Sequence, residues 1–178
     1  MQATVLTTAA GTTTADPEDP LQRYYQGQFR SVRNLIEGFS EEIKTSLYFV
    51  DQEYGIADST ETYAAVRPTT PVGSETMIQK AQLTLQEAVP VSDIVVILLT
   101  TDTFSQIVTP IWTKLVKKAQ SDSIWCLGTS RSALEDIDLK SLEMAVGHVI
   151  TYRRRGVARI GAEEKTALED EIAQRLSN

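Results

Sequence analysis

A run of six consecutive branched aliphatic residues, 94–99, constrains the fold of this chain more than any other feature. No polar residue interrupts the run, so the strand that it predicts must be buried on both faces. Such strands are typical of the centre of a parallel sheet that helices cover on both sides. We therefore expect residues 94–100 to form the central strand of an α/β domain.

Short apolar runs alternate with segments of helical periodicity along the rest of the chain. Phe29, Val32 and Leu35, for example, recur at the spacing of one helix face. This alternation predicts a single three-layer α/β domain over residues 1–178, with a mainly parallel sheet of about five strands and helices on both faces. The other expected strands are 4–10, 46–50, 123–127 and 149–152. Long loops are expected at 11–22 and 57–73, and an amphipathic C-terminal helix at 162–178.

Helix starts are predicted from capping residues. Ser74 is the expected cap of a helix that ends before Pro90, and Ser132 with Glu135 has the spacing of a capping box. The helix around Trp112 begins either at Thr109 and Pro110 or near Asp102, with a kink at the proline.

Composition limits the functions that the chain can have. The formal net charge is −7, which disfavours general attraction to nucleic acid or to anionic lipid. Cys126 is the only cysteine, so neither an intrachain disulfide nor a cysteine-based metal site is expected. It is either a buried thiol or a nucleophile served by His148, the only histidine. We expect no membrane span, no secretory signal, and a cytoplasmic location.

Ligands of open parallel sheets bind beyond the carboxyl ends of the strands, which directs attention to four loops. Thr8 belongs to the first loop, which is rich in hydroxyls but matches neither a phosphate loop nor a dinucleotide fingerprint. Asp51, Tyr54 and Gly55 follow the second strand. Asp51 is a candidate catalytic base or ribose ligand, and the alternative is a solvated carboxylate beside a turn glycine.

The third and fourth loops follow the central strand and the strand after it. Thr101 and Asp102 form the third loop, where Asp102 is either a catalytic candidate or a helix cap. The fourth is Gly128-Thr129-Ser130-Arg131, a glycine followed by two hydroxyls and a cation, which suits an anion at a helix entry but is also explained by capping through Ser130 or Ser132.

Positive charge is concentrated at one place near the C-terminus. Arg153, Arg154, Arg155 and Arg159 follow Tyr152, and arginine beside an aromatic residue can grip phosphates and stack on bases. We predict an anion or nucleic-acid patch here, with a solvated surface as the alternative. The net charge disfavours nucleic acid as the partner.

Some aromatic motifs of the first hundred residues resemble a known family. They are Tyr24 followed by Phe29 and Arg33, the segment 48–56 with its Tyr54-Gly55 pair, and Tyr63. The chain is similar in these positions to a family of small α/β proteins, common in phages and genomic islands, that is catalogued as a domain of unknown function. The family's leading Cys-Gly-x-x-Lys motif is absent from 8–13, and Asp51 stands where the family has serine. The resemblance implies the α/β fold, a role for the Tyr54 loop and a viral or mobile-element origin; it implies no reaction.

These observations favour a small protein that binds a nucleotide, a nucleobase or another phosphate-bearing ligand, in connection with nucleic-acid metabolism. The alternative is a non-catalytic interaction or adaptor protein that uses the acidic last helix and the segment 57–73 as its surfaces. No complete set of nucleophile, base and orienting residue is visible, so the sequence does not decide whether the protein is an enzyme. It predicts no cofactor and no metal.

Overall fold

The computed structural model describes residues 1–39, 41–153 and 160–177, and these form one sheet between two layers of helices. The strands are β1 (Gln2–Thr8), β2 (Lys44–Asp51), β3 (Gly55–Asp58), β4 (Ile94–Leu98), β5 (Ile124–Thr129) and β6 (His148–Arg153). Their order across the sheet is β3-β2-β1-β4-β5-β6. All neighbours are parallel except β2 and β3, which are antiparallel. The predicted fold class is confirmed.

The chain changes direction across the sheet between β1 and β4. From β1 it proceeds outward to β2 and β3, and from β4 it proceeds to β5 and β6 on the other side. Such a switch point leaves a crevice at the carboxyl ends of the two central strands. Every residue of β4 is buried between its parallel neighbours, which confirms the central strand predicted from its uninterrupted apolar run.

Helices cover both faces of the sheet. In chain order they are α1 (Leu21–Tyr24), α2 (Arg30–Glu37), α3 (Tyr63–Val66), α4 (Gly73–Ala88), α5 (Thr101–Ile107), α6 (Trp112–Lys118), α7 (Arg131–Glu135), α8 (Leu139–Ala145) and α9 (Ala162–Leu176). The first face of the sheet packs against α1, α2 and α9, and the second packs against α4 to α8. Within the described ranges, none of these helices has the length and apolarity needed to cross a lipid bilayer.

The apolar core is divided by the sheet into two parts. Phe49 is fully buried on the first face, where its ring centroid lies 4.8 Å from those of both Tyr25 and Phe29. Cys126 of β5 is also fully buried in this part. Trp125, its neighbour in sequence, points to the second face, because successive side chains of a strand alternate between faces.

Two predicted helix caps are wrong. The helix expected to start at Ser74 starts at Gly73, whose φ of 81° is in the left-handed region that glycine adopts without strain. The capping box at Ser132 does not form either. Ser130 is the cap of α7, and its Oγ accepts a hydrogen bond from Ala133 N–H at 3.2 Å.

For the helix around Trp112, the sequence allows a start at Thr109 or a start near Asp102, and the structure shows two helices with a break at Pro110. The helical segment α5 begins at Thr101, directly after the central strand, and a 3₁₀ turn at Thr109–Ile111 separates it from α6. A proline inside a helix removes one backbone donor and clashes with the preceding turn, which accounts for the break between α5 and α6.

The segments expected as long loops contain short regular elements. In 57–73 the chain completes β3, forms α3, and returns to the turn between β2 and β3 through a hydrogen bond from Gly73 N–H to Gln52 O. In 11–22 it enters α1 and is held by a hydrogen bond from Thr14 N–H to Tyr24 O. The C-terminal helix α9 buries Leu168 and Ile172 on the first face of the sheet.

Candidate site at the carboxyl edge of the sheet

Two threonines lie at the carboxyl ends of strands on either side of β4. Thr8 ends β1 and Thr129 ends β5. Leu6 and Leu127, two residues before them, both belong to the core of the second face, so strand alternation directs both threonine side chains to that face. Both threonine side chains therefore lie on the second face at the carboxyl edge of the sheet, on either side of the end of β4.

The hydroxyl groups of these threonines lack protein partners. Thr8 Oγ1 and Thr129 Oγ1 are both buried, and neither forms a hydrogen bond with any residue that the structure describes. A buried polar group without a partner costs about 1–3 kcal/mol of stability. Most buried hydroxyls avoid this cost, as Thr4 does by bonding to Ser92 Oγ at 2.8 Å. The pair at the carboxyl edge thus consists of two unsatisfied hydroxyls that the folded chain covers.

Asp51 and Tyr54 lie at the same edge but on the first face. Asp51 Oδ1 accepts a hydrogen bond from Glu53 N–H at 2.7 Å, which closes the turn between β2 and β3. Tyr54 is buried, and its phenol oxygen is hydrogen-bonded to that of Tyr25 at 2.8 Å. Burial raises the pKa of both phenols above the usual value, so they remain protonated at neutral pH.

A second tyrosine pair lies on the outer side of this turn. The rings of Tyr24 and Tyr63 are stacked with centroids 4.6 Å apart, and Tyr63 O–H donates to Glu53 Oε2 at 2.7 Å. This hydrogen bond, more than burial, raises the pKa of Tyr63 to about 12. Arg67 forms an ion pair with the same glutamate, and its Nε lies 3.5 Å from Glu53 Oε1. The four tyrosines and Glu53 hold the Asp51 turn in place.

The carboxyl group of Asp51 is desolvated, and this has a consequence for stability that depends on pH. Burial raises its pKa above the ordinary value of an aspartate. Between the unfolded and the folded pKa the native state binds more protons, so the free energy of unfolding falls as pH rises through this window.

We expect Asp51→Asn, which keeps the Oδ1 acceptor, to raise the melting temperature at pH 7. The gain should vanish below about pH 4, where both states are protonated. An equal gain at pH 7 and pH 3, measured by calorimetry, would contradict the desolvation of Asp51.

The third and fourth loops place their polar side chains on helices of the second face. Asp102 is exposed in the first turn of α5 and is not its cap, which is Thr100. Thr101, the first residue of α5, is half-buried. Arg131 is exposed, and its Nε donates to Glu135 Oε1 at 2.7 Å, four residues further along α7. The guanidinium of Arg131 is therefore already paired with a carboxylate.

The two glycines predicted for the site, Gly128 and Gly55, both lie at this edge of the sheet. Gly128 is buried in β5, and its carbonyl accepts a hydrogen bond from Leu99 N–H. Gly55 opens β3 with a φ of 90°, and a Cβ there would lie 3.2 Å from Cδ of Lys80. Both the left-handed backbone and the stem of Lys80 therefore favour glycine at position 55.

Most of the predicted basic patch lies outside the described residues. Arg153 ends β6 with its side chain exposed. Arg154, Arg155 and Arg159 fall in the range 154–159, so the structure gives no geometry for the patch as a whole.

No family model, curated protein or solved structure matches this chain. The resemblance to the phage and genomic-island family therefore stays a prediction. The residues that carry it do lie near one another: Tyr24 contacts both Tyr25 and Tyr63, and Tyr25 bonds to Tyr54.

The structure adds Tyr25 to the residues singled out from the sequence. It also shows that Thr129, from the fourth predicted loop, ends its strand as Thr8 does, whereas the expected strands 4–10 and 123–127 did not give the two threonines equivalent positions. Tyr25 carries no sequence signal, because its partner Tyr54 lies 29 residues away. The described residues contain no group of three or more histidine, cysteine, aspartate or glutamate side chains arranged to hold a metal ion.

Proposed function

We propose that this protein binds a nucleotide, or a closely related nucleobase or phosphate-bearing ligand, in the crevice between the carboxyl ends of β1 and β4. The observation that carries the proposal is the pair of buried, unpartnered hydroxyls of Thr8 and Thr129 on either side of the end of β4. A hydroxyl donates well to phosphate and sugar oxygens. A ligand that accepts from both would remove the cost of leaving them unpaired.

The spacing of the two threonines favours an extended ligand over a single small anion. Thr8 and Thr129 end strands that are separated by β4, and neighbouring strands lie about 4.8 Å apart, so their backbones are about 10 Å apart. One phosphate ion cannot contact both hydroxyls across this distance. A phosphate joined to a sugar or to a second phosphate can.

Asp51 lies at the same edge but is turned away from the two threonines. Its strand position puts the carboxyl group on the first face with Phe49, whereas Thr8 and Thr129 lie on the second. We therefore assign the ligand contacts to the two threonines, and we assign no reaction to the site.

A thermal-shift panel tests the proposal directly. The panel contains nucleoside mono-, di- and triphosphates, free nucleobases and inorganic phosphate. At least one nucleotide is expected to raise the melting temperature, since a ligand at a hundredfold excess over its Kd adds about 2.7 kcal/mol of stability. Inorganic phosphate alone is expected to have a smaller effect. If the whole panel has no effect, the proposal fails and the adaptor alternative takes its place.

Substitution of Thr8 by valine should affect stability and binding in opposite directions. Thr8→Val removes an unpartnered hydroxyl at nearly constant shape, so we expect the free protein to gain up to about 1 kcal/mol in urea unfolding. The stabilisation by the nucleotide should fall at the same time. Thr4→Val is the matched control, on the same strand and face, because it breaks the hydrogen bond to Ser92 Oγ. That variant should lose about 1 kcal/mol and keep its nucleotide response. A destabilised Thr8→Val protein with unchanged binding would contradict the site.

A further inference from the structure

A cavity lies on the first face of the sheet, on the opposite side from the crevice with Thr8 and Thr129. It has a volume of about 390 Å³ and is lined by Gln22, Arg23, Phe29, Arg33, Ile36, Glu37 and Leu47. Volumes of roughly 300–1,000 Å³ are typical of pockets for small organic ligands. Phe29, Ile36 and Leu47 form its apolar lining. The charged lining residues are Arg23, Arg33 and Glu37.

Arg33 is held in this cavity by the protein itself. Its Nη2 donates to the carbonyl oxygens of Gln22 at 2.6 Å and of Tyr25 at 2.8 Å. Its guanidinium carbon lies 5.5 Å from the ring centroid of Phe29, within cation–π range. These contacts fix the guanidinium in one orientation, so little side-chain entropy remains to be lost when a ligand binds.

The positive charge of Arg33 is nevertheless not neutralised. Glu37 is four residues away on α2, the usual position for an ion pair on a helix, yet Arg33 forms no ion pair with it or with any other described carboxylate. Its Nε is buried without a hydrogen-bond partner in the described residues. Arg23, which also lines the cavity and is exposed, forms no ion pair with a described carboxylate either. Among the described residues the half-buried charge of Arg33 is therefore met by neutral carbonyl oxygens alone, and an anionic ligand would give it a partner of opposite charge.

We propose that this cavity is a second binding site, for a small organic carboxylate with an apolar body. The carboxylate accepts from Nη1 of Arg33, which makes no hydrogen bond with the described residues, and the apolar body packs against Phe29, Ile36 and Leu47. Two arginines and one glutamate leave a single net positive charge on the lining. A carboxylate matches that charge, whereas a dianionic phosphate ester would face the repulsion of Glu37 without full compensation.

Titration with benzoate, followed by ¹H–¹⁵N NMR, tests the site in the full chain. We expect millimolar binding with shifts at Phe29, Leu47 and the Nε–H signal of Arg33. Benzamide, which has the same shape but no charge, should bind much more weakly, and phenyl phosphate should bind no more tightly than benzoate. The site would be overturned if benzoate moved no signal of the cavity or if benzamide bound equally well. Tighter binding of phenyl phosphate would overturn the choice of a carboxylate.

Charge variants separate the cavity from general attraction to a basic surface. Arg23→Gln should weaken benzoate binding about two- to fivefold and Glu37→Gln should tighten it by a similar factor, the range that corresponds to exposed charge pairs. Arg30→Gln is the matched control, because Arg30 is an exposed arginine at the start of α2 that does not line the cavity. It should leave the Kd unchanged.

Arg33→Lys, which keeps the charge but loses the fixed planar donor, should weaken binding at least about tenfold. Equal effects of Arg23→Gln and Arg30→Gln would overturn the proposal. Because the nucleotide crevice is on the other face, either site can fail without the other.

Discussion

Substitution of Ile97 by aspartate is expected to prevent folding. Ile97 is fully buried in β4, with Leu6 of β1 and Leu127 of β5 as its parallel partners. The described residues of the second core are hydrophobic, so a carboxylate at this position would be buried in apolar surroundings without solvation. Even one or two kcal/mol is a large fraction of the roughly 5–15 kcal/mol of stability that a domain has.

Circular dichroism and sedimentation of the purified variant measure this effect. Ile97→Val is the control, since it removes one methylene group and should cost only about 0.5–1.5 kcal/mol. A soluble Ile97→Asp protein with a cooperative melt near that of the wild type would contradict the position of β4 at the centre of the sheet.

Phe49→Ala should have the second largest effect, a loss of about 3–5 kcal/mol in the free energy of unfolding. Phe49 is fully buried and packs against the rings of Tyr25 and Phe29, so its removal leaves a hole in the core of the first face. Aromatic pairs of this kind contribute about 0.5–1.5 kcal/mol beyond the area that they bury. Urea unfolding followed by tryptophan fluorescence gives the difference.

Phe49→Leu is the matched control for this prediction, because it keeps most of the apolar volume and loses only the ring contacts. It should cost clearly less than the alanine variant. If both variants lost less than about 1 kcal/mol, the aromatic layer would not be the support of the first core that the structure indicates.

The predictable part of the fold is the part decided by burial pattern. The run 94–99 has one physical solution, a strand covered on both faces, and β4 is that strand. Helix starts depended instead on competition between neighbours of similar propensity. Ser130 and Ser132 are both good caps, and the one that follows β5 directly takes the position. The strand β3 has four residues and begins with glycine, so its apolar pattern was too short to indicate a strand within 57–73.

The candidate site was predictable in its position along the chain but not in its division between faces. The loops after β1, β2, β4 and β5 do meet at one edge of the sheet. Asp51 and Tyr54, however, lie on the first face, whereas Asp102 and Arg131 belong to helices packed on the second. The cavity at Arg33 had no signal in the sequence, since it depends on carbonyl oxygens of Gln22 and Tyr25 that a one-dimensional pattern does not place.

The position of Cys126 gives the molecule an internal reporter of its own opening. The chain has one thiol, it is fully buried in β5, and burial raises its pKa to about 12. Alkylating reagents attack the thiolate, so the closed protein should resist them almost completely. Labelling then proceeds only through molecules in which the sheet has separated, and when reclosing is fast its rate measures their equilibrium population. Each variant described above can therefore be ranked by the speed at which a single sulfur is modified, under native conditions and without denaturant.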